Sequence, residues 1–123
     1  MSIHSEEIFQ RYIHAGALTR DPDAVAALFT EDGVYEVPLT SHKLVGREAI
    51  RAGIGAYQQE PVGTPDLAKT RFVLHRTTDP DVFIAEIDAA LNTPSGPRNM
   101  SLVQIFRTRD GLICHLRDYF AMP

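Results

Sequence analysis

"RNMSLVQIFRTRDGLICHLRDYFAM", residues 98–122, is the stretch whose reading decides the fold. Two runs rich in β-branched and aromatic residues flank Asp110-Gly111, a dipeptide suited to the left-handed conformations of a tight hairpin turn. Side chains two apart on a strand share a face. On the second run Leu112, Cys114, Leu116 and Phe120 share one parity, and Asp118 shares it with them. A carboxylate is therefore expected on the apolar side of a sheet, where a charge is costly unless paired, hydrogen-bonded or protonated.

The register says what this aspartate faces. With "TRDGL" as a three-residue loop and Gly111 left-handed at a bulge, Thr108 lies opposite Leu112. Met100 then faces Phe120, Leu102 faces Asp118 and Gln104 faces Leu116. Upstream, "DVFIAEIDAAL" reads as another strand, bounded by "TTDPD" and "NTPSGP". Placing Leu91 opposite Asn99 sets Asp88 against Leu102 and Glu86 against Gln104. The expected rows are Asp88, Leu102, Asp118 and, beside it, Glu86, Gln104, Leu116. Asp88 and Asp118 are then roughly 10 Å apart at the backbone, close enough to converge on one small guest. Phe83, Ala85, Ile87, Ala89 and Leu91 take the opposite face, for a core or a partner subunit. Several acids in an apolar cleft push at least one pKa upward, which supplies an acid and a base together. The competing reading is an Asp118 that merely pairs with an arginine or a backbone amide.

Outward from these strands, "TRFVLHRTT" is a further candidate strand, and the front half of the chain reads as helices. "SEEIFQRYIHAGAL" places Ile8, Phe9, Tyr12, Ile13 and Ala17 on one stripe, with Ser5 as its N-cap. "RDPDAVAALF" starts a second helix with Asp21 as cap and Pro22 in the first turn; Val25, Leu28 and Phe29 form its apolar edge, and "TEDG" stops it. "GVYEVP" is a short strand ended by Pro38. "GREAIRAGIGAYQQEP" is a third helix with Ile50, Ile54 and Tyr57 inward. Helices followed by a meander give an α+β domain with helices on one face of a sheet.

The length of 123 residues suits one domain, residues 1–123. A formal charge of −4, from 16 acidic and 12 basic residues, disfavours binding to nucleic-acid phosphates. No apolar run is long enough to span a bilayer, and the polar start "MSIHSEEIFQ" is unlike a signal peptide, so a cytoplasmic protein without membrane partners is expected. The single Cys114 is expected to be a buried, inert thiol. His75 and His115 read as surface histidines, His14 as exposed, and His42 as part of a loop. A metal site from Glu86, Asp88 and Asp118 would have oxygen ligands only, with no His or Cys at a recognisable spacing, so no metal is expected. The absence of a phosphate-binding glycine loop argues against a nucleotide cofactor, and none is expected.

The segments "RYIHAGALTRDPDAVAALFTEDGVYEVP", "LVGREAI" and "RDGLICHLRDYF" resemble the nuclear-transport-factor-like superfamily, within its ketosteroid isomerase, SnoaL-like polyketide cyclase and limonene-epoxide hydrolase group. The resemblance covers nearly the whole chain. It implies a cone-shaped, cystatin-like α+β barrel, with N-terminal helices packed on a strongly curved mixed sheet that encloses a pocket, and a homodimer formed through the outer face of the sheet. In the isomerases' pattern Tyr12 matches the first-helix tyrosine that hydrogen-bonds an oxyanion; their general-base aspartate falls at Val37 and their protonated aspartate at Gln104. In the epoxide hydrolases' pattern Asp88 and Asp118 fall on the two catalytic carboxylates, their bridging arginine falls at Glu86, and the water-holding pair at Val34 and Glu36.

The leading expectation is a cofactor-independent acid–base enzyme, an isomerase or polyketide-cyclase-like protein, acting on a small, largely apolar molecule. Asp118 is its principal acid or base, Asp88 its partner, and Tyr12 and Gln104 its hydrogen-bond donors. Glu86, Gln104, Glu36, Leu102, Phe120, Phe29 and Tyr57 are the expected substrate contacts. An epoxide hydrolase and a non-catalytic binding or assembly domain are the alternatives; the competing reading of Tyr12 is a core tyrosine whose hydroxyl finds a partner.

Overall fold

Asp21 starts the second helix as its sequence predicts: its carboxylate accepts from the backbone N–H groups of Asp23 and Ala24 at 3.0 and 3.2 Å, with Pro22 in the first turn. The structure, a computed structural model, describes residues 3–18, 20–59 and 63–121. Three helices, α1 (Ile3–Ile13), α2 (Pro22–Ala27) and α3 (Arg47–Gln59), cover one face of a seven-stranded sheet. Its strands are β1 (Phe29–Val37), β2 (His42–Val45), β3 (Thr64–Pro65), β4 (Arg71–Arg76), β5 (Val82–Thr93), β6 (Gly96–Arg109) and β7 (Leu112–Phe120). The order is β2-β1-β7-β6-β5, with β3 and β4 both pairing with β5. β1 and β7 run parallel and the other pairs antiparallel, so the sheet is mixed, and it curves into a cone around the helices.

The core lies on the concave face. Ile8, Phe9 and Tyr12 from α1, Val25 and Ala26 from α2 and Ile50 from α3 pack on Phe29, Phe83, Ala85, Ile87, Phe106, Ile113 and Leu116. Phe83 and Phe106 stack at 4.7 Å between centroids, and Tyr12 meets Phe106 edge-on at 5.5 Å. Gly53 lets α3 approach β2: a Cβ there would sit 2.4 Å from Leu44 Cδ1. Arg47, at the start of α3, ties the helix to β1 by donating from Nε and Nη2 to the Phe29 carbonyl at 3.1 and 2.7 Å.

Several local expectations are corrected. α1 begins at Ile3, so Ser5 lies inside its first turn and is buried rather than capping it. α2 ends at Ala27; Phe29 opens β1, and "TEDG" lies within that strand instead of stopping a helix. The strand absorbs it in an irregularity: Phe29 pairs with Ile113, and Val34 already pairs with His115. His42 opens edge strand β2. The turn after β6 holds two residues, with Asp110 at φ 53° and Gly111 at φ 81°. Both are left-handed, the geometry that matches the natural twist of a hairpin. The bulge falls further on: Arg107 pairs with His115 and Thr108 with Ile113, which skips Cys114. Cys114 is therefore half-exposed, its Sγ 3.4 Å from the Arg107 carbonyl, and not the buried thiol expected. Among the described residues no helix is long and apolar enough to cross a membrane.

Candidate active site

The observed register places the polar residues of the concave face in a different company from the one expected. Asp118 pairs with Gln104, and Gln104 with Ala85. Phe120 pairs with Leu102, and Leu102 with Ile87. On the other side of Asp118 run Leu44, Tyr35, Leu116, Phe106 and Phe83. Asp118 is thus an acid set among aliphatic and aromatic side chains, with one amide and one phenol near it.

Asp118 is 4% exposed. The Tyr35 hydroxyl donates to its Oδ2 at 2.6 Å, while Oδ1 is buried without a hydrogen-bond partner. Burial pushes the carboxyl up to about 6; the hydrogen bond from Tyr35 and, after it, the Gln104 amide work in the opposite direction by favouring the charged form. An acid of this kind is largely ionised at neutral pH yet readily takes a proton, the property a general base requires. Gln104, 5% exposed, also has a buried Oε1 with no hydrogen-bond partner.

Tyr35 is the residue the sequence reading missed. The water-holding pair of the epoxide hydrolases' pattern falls at Val34 and Glu36, but Tyr35 shares its parity with buried Val37, and that apolar parity is the inward one. Glu36 accordingly lies on the outer face, with His115 Nε2 at 3.0 Å and Arg117 Nε at 3.2 Å. The hydrogen bond from His115 is the main reason its carboxyl sits below the usual value.

Asp88 and Glu86 are corrected for the same reason. The turn between β5 and β6 is only Pro94-Ser95, so Leu91 pairs with Arg98 rather than Asn99. A slip of one residue turns every side chain of a strand to the other face. Ala85 and Ile87 point inward, and Asp88 and Glu86 outward into solvent, where Ser101 donates to Asp88 at 3.0 Å and His75 pairs with Glu86. The expected carboxylate pair does not form.

Of the remaining expected residues, Leu102 and Phe120 lie beside Gln104 and Asp118 and are half-buried. Tyr12 is buried in α1 against Phe106, two residues along β6 from Gln104. Phe29 is fully enclosed in the core, and the side chain of Tyr57 lies outside the described residues. Among the described residues no three or more His, Cys, Asp or Glu side chains gather as a metal ion would need. A surface groove of about 590 Å³ between α2 and α3, lined by Asp23, Glu31, Arg47, Glu48 and Arg51 among others, is separate from Asp118.

A sequence model of the SnoaL-like domain matches residues 9–116. Solved structures share the fold. A Catenulispora acidiphila protein with a ketosteroid isomerase-like fold, in complex with trimethylamine, superposes with a TM-score of 0.77 at 21% identity, over 94% of this chain and 86% of its own. An LEH-like epoxide hydrolase of M. tuberculosis gives 0.68 at 20% identity, over 96% and 83%. A phenazine biosynthesis-related protein of Pseudomonas aeruginosa gives 0.72 at 18%, over 96% and 79%. A search of curated proteins returns no significant match.

Proposed function

The chain belongs to the SnoaL-like domain family, and from that premise we propose that it is a cofactor-independent acid–base enzyme for a small, largely apolar molecule, an isomerase or cyclase with Asp118 as its proton carrier. The observation that carries this reading is the Asp118 carboxyl: enclosed in apolar surroundings, held through Oδ2 by Tyr35, and with Oδ1 unengaged. A carboxyl in that state is suited to removing a proton from carbon next to a carbonyl. The C–H bond breaks, its proton passes to Oδ1, and the electron pair moves onto the carbonyl oxygen; return of the proton to another carbon completes an isomerisation. Half-buried Leu102 and Phe120 offer apolar contact beside it.

Hydrolysis of an epoxide by paired carboxylates has less support, because Asp88 faces away from Asp118. The homodimer is likewise a proposal, placed on the outer face of β4–β7.

The test is solvent exchange. A panel of small cyclic ketones and enones is incubated with the protein in D2O and followed by proton NMR. Deuterium should enter at carbons next to the carbonyl with the native protein and not with Asp118→Asn. Equal incorporation by the two proteins, or none across the panel, sinks the proposal.

A further inference from the structure

Strand β4 leaves a main-chain edge open. A strand bonded on one side only directs the N–H and C=O groups of every second residue away from its neighbour, where another chain can pair with them. Among the described residues the sheet ends in β2 on one side and in β3 and β4 on the other. β2 is protected: it is four residues long, carries Lys43 and follows a turn opened by Pro38. β3 has only two residues. β4 has none of these devices. Its six residues, Arg71–Arg76, include no proline and no lysine, and they pair with β5 without a bulge, from Arg71 opposite Asp88 to Arg76 opposite Phe83.

Two large apolar side chains of β4 are exposed, Phe72 at 44% and Val73 at 56%. They are consecutive, so they lie on opposite faces of the sheet. Phe72 is on the concave face, where its ring meets Phe9 at 5.0 Å between centroids, and Val73 is on the outer face opposite Glu86. A partner resting on one face covers one of them and leaves the other in water. An added strand covers both, because its side chains flank those of β4 on the two faces at once. The charges then choose the occupant. β4 carries Arg71 and Arg76 at its ends, His75 beside Arg76, and no acid. The nearby acids, Glu86 and Asp88, belong to β5, on the side away from the open edge; Glu86 pairs with His75, and Asp88 accepts from Ser101. A second copy pairing antiparallel over all six residues sets Arg71 opposite Arg76 at both ends, and like charges directly opposite are destabilising. Acids at those two positions are favourable instead.

We propose that β4 is a docking edge for an extended acidic segment of another protein, added as an antiparallel strand with apolar residues opposite Phe72, Val73 and Leu74 and a carboxylate opposite each arginine. The main-chain ladder supplies the affinity and the flanking side chains the selectivity. The contact lies in the plane of the sheet, separate from Asp118 and independent of the activity proposed above.

The experiment titrates the native protein with the peptide acetyl-Glu-Thr-Val-Val-Tyr-Glu-amide and follows backbone amides by proton–nitrogen NMR. Shifts are expected along β4 and the residues of β5 that pair with it. A lysine-ended peptide, acetyl-Lys-Thr-Val-Val-Tyr-Lys-amide, should bind at least about fivefold more weakly, and Arg71→Glu should narrow that difference. The acidic peptide with every backbone nitrogen methylated keeps its side chains, loses its donors and should not bind. Absence of shifts in β4, equal binding of the acid-ended and lysine-ended peptides by the native protein, or undiminished binding of the methylated peptide overturns the proposal. So does movement of the β4 signals when the protein alone is diluted, which would assign the edge to a second copy. The peptide comparisons use the native protein and hold even if Arg71→Glu does not fold.

Discussion

Asp118 carries two consequences that separate by pH. Its folded-state pKa, about 6, lies above the ordinary 3.8, so between those values the folded protein binds more protons than the unfolded chain. Its contribution to stability is therefore full below about pH 3.8 and is lost as pH rises through about 6, an effect of roughly 3 kcal/mol. Asp118→Asn keeps the shape and removes the charge. Urea unfolding should find the variant gaining stability over the native protein by up to that amount between pH 4 and pH 7.5, while exchange activity disappears. A constant difference across that range would contradict the placement of the charge. Tyr35→Phe removes the main interaction that favours the ionised form. The Asp118 titration, followed by carboxyl carbon-13 NMR, should move upward, and the acid limb of any pH–rate profile should move with it. The apolar parity of the last strand was enough to single out Asp118 in the sequence. Tyr35 was equally readable from its parity with Val37, but the bond between the two residues joins parallel strands far apart in the chain, and only the β1–β7 pairing shows it.

At the scale of elements, the contact between α3 and β2 gives a test of competing effects. Glycine inside a helix ordinarily costs about 1 kcal/mol relative to alanine. At Gly53 that gain is opposed, because three atoms of the Leu44 side chain lie within 3.3 Å of where a Cβ would be. Overpacking of this kind costs about 1–3 kcal/mol. Gly53→Ala is expected to lower stability in the native background and to raise it in a Leu44→Ala background, as read from thermal or urea unfolding of the four proteins of a double-mutant cycle. The start of α2 was legible because its cap is local, Asp21 and Pro22 announcing it within three residues, whereas Ser5 marked the start of α1 too late. Turn lengths were harder. The chain around Asp110-Gly111 is compatible with two hairpin loops, and the right-handed twist of the flanking strands selects the shorter one. The bulge then moves to Cys114, and Asp118 meets Gln104 instead of Leu102.

For the whole molecule, the outer face of the sheet carries a row of Val73, Glu86, Val103 and Tyr119, beside a row of His75, Ile84, Ile105 and Arg117. Val73 and Val103 are 56% and 39% exposed, and Arg117 lies over the Tyr119 ring at 5.4 Å. We place the proposed homodimer on this face. Light scattering behind size exclusion should report twice the chain mass for the native protein and the chain mass for Val103→Glu; a native monomer would exclude it. The sequence by itself determined the α+β class, the order of helices before meander and the inward parity of Asp118, because hydrophobic period, caps and turn dipeptides act over a few residues, while the cone followed from the family resemblance. Tertiary structure alone decided which polar groups share the site. A one-residue shift in the β5–β6 register set Asp88 and Glu86 toward solvent, and the shorter β6–β7 turn together with the bulge at Cys114 brought Gln104 to Asp118, because strand pairing has a period of two and its phase is set by turns and bulges.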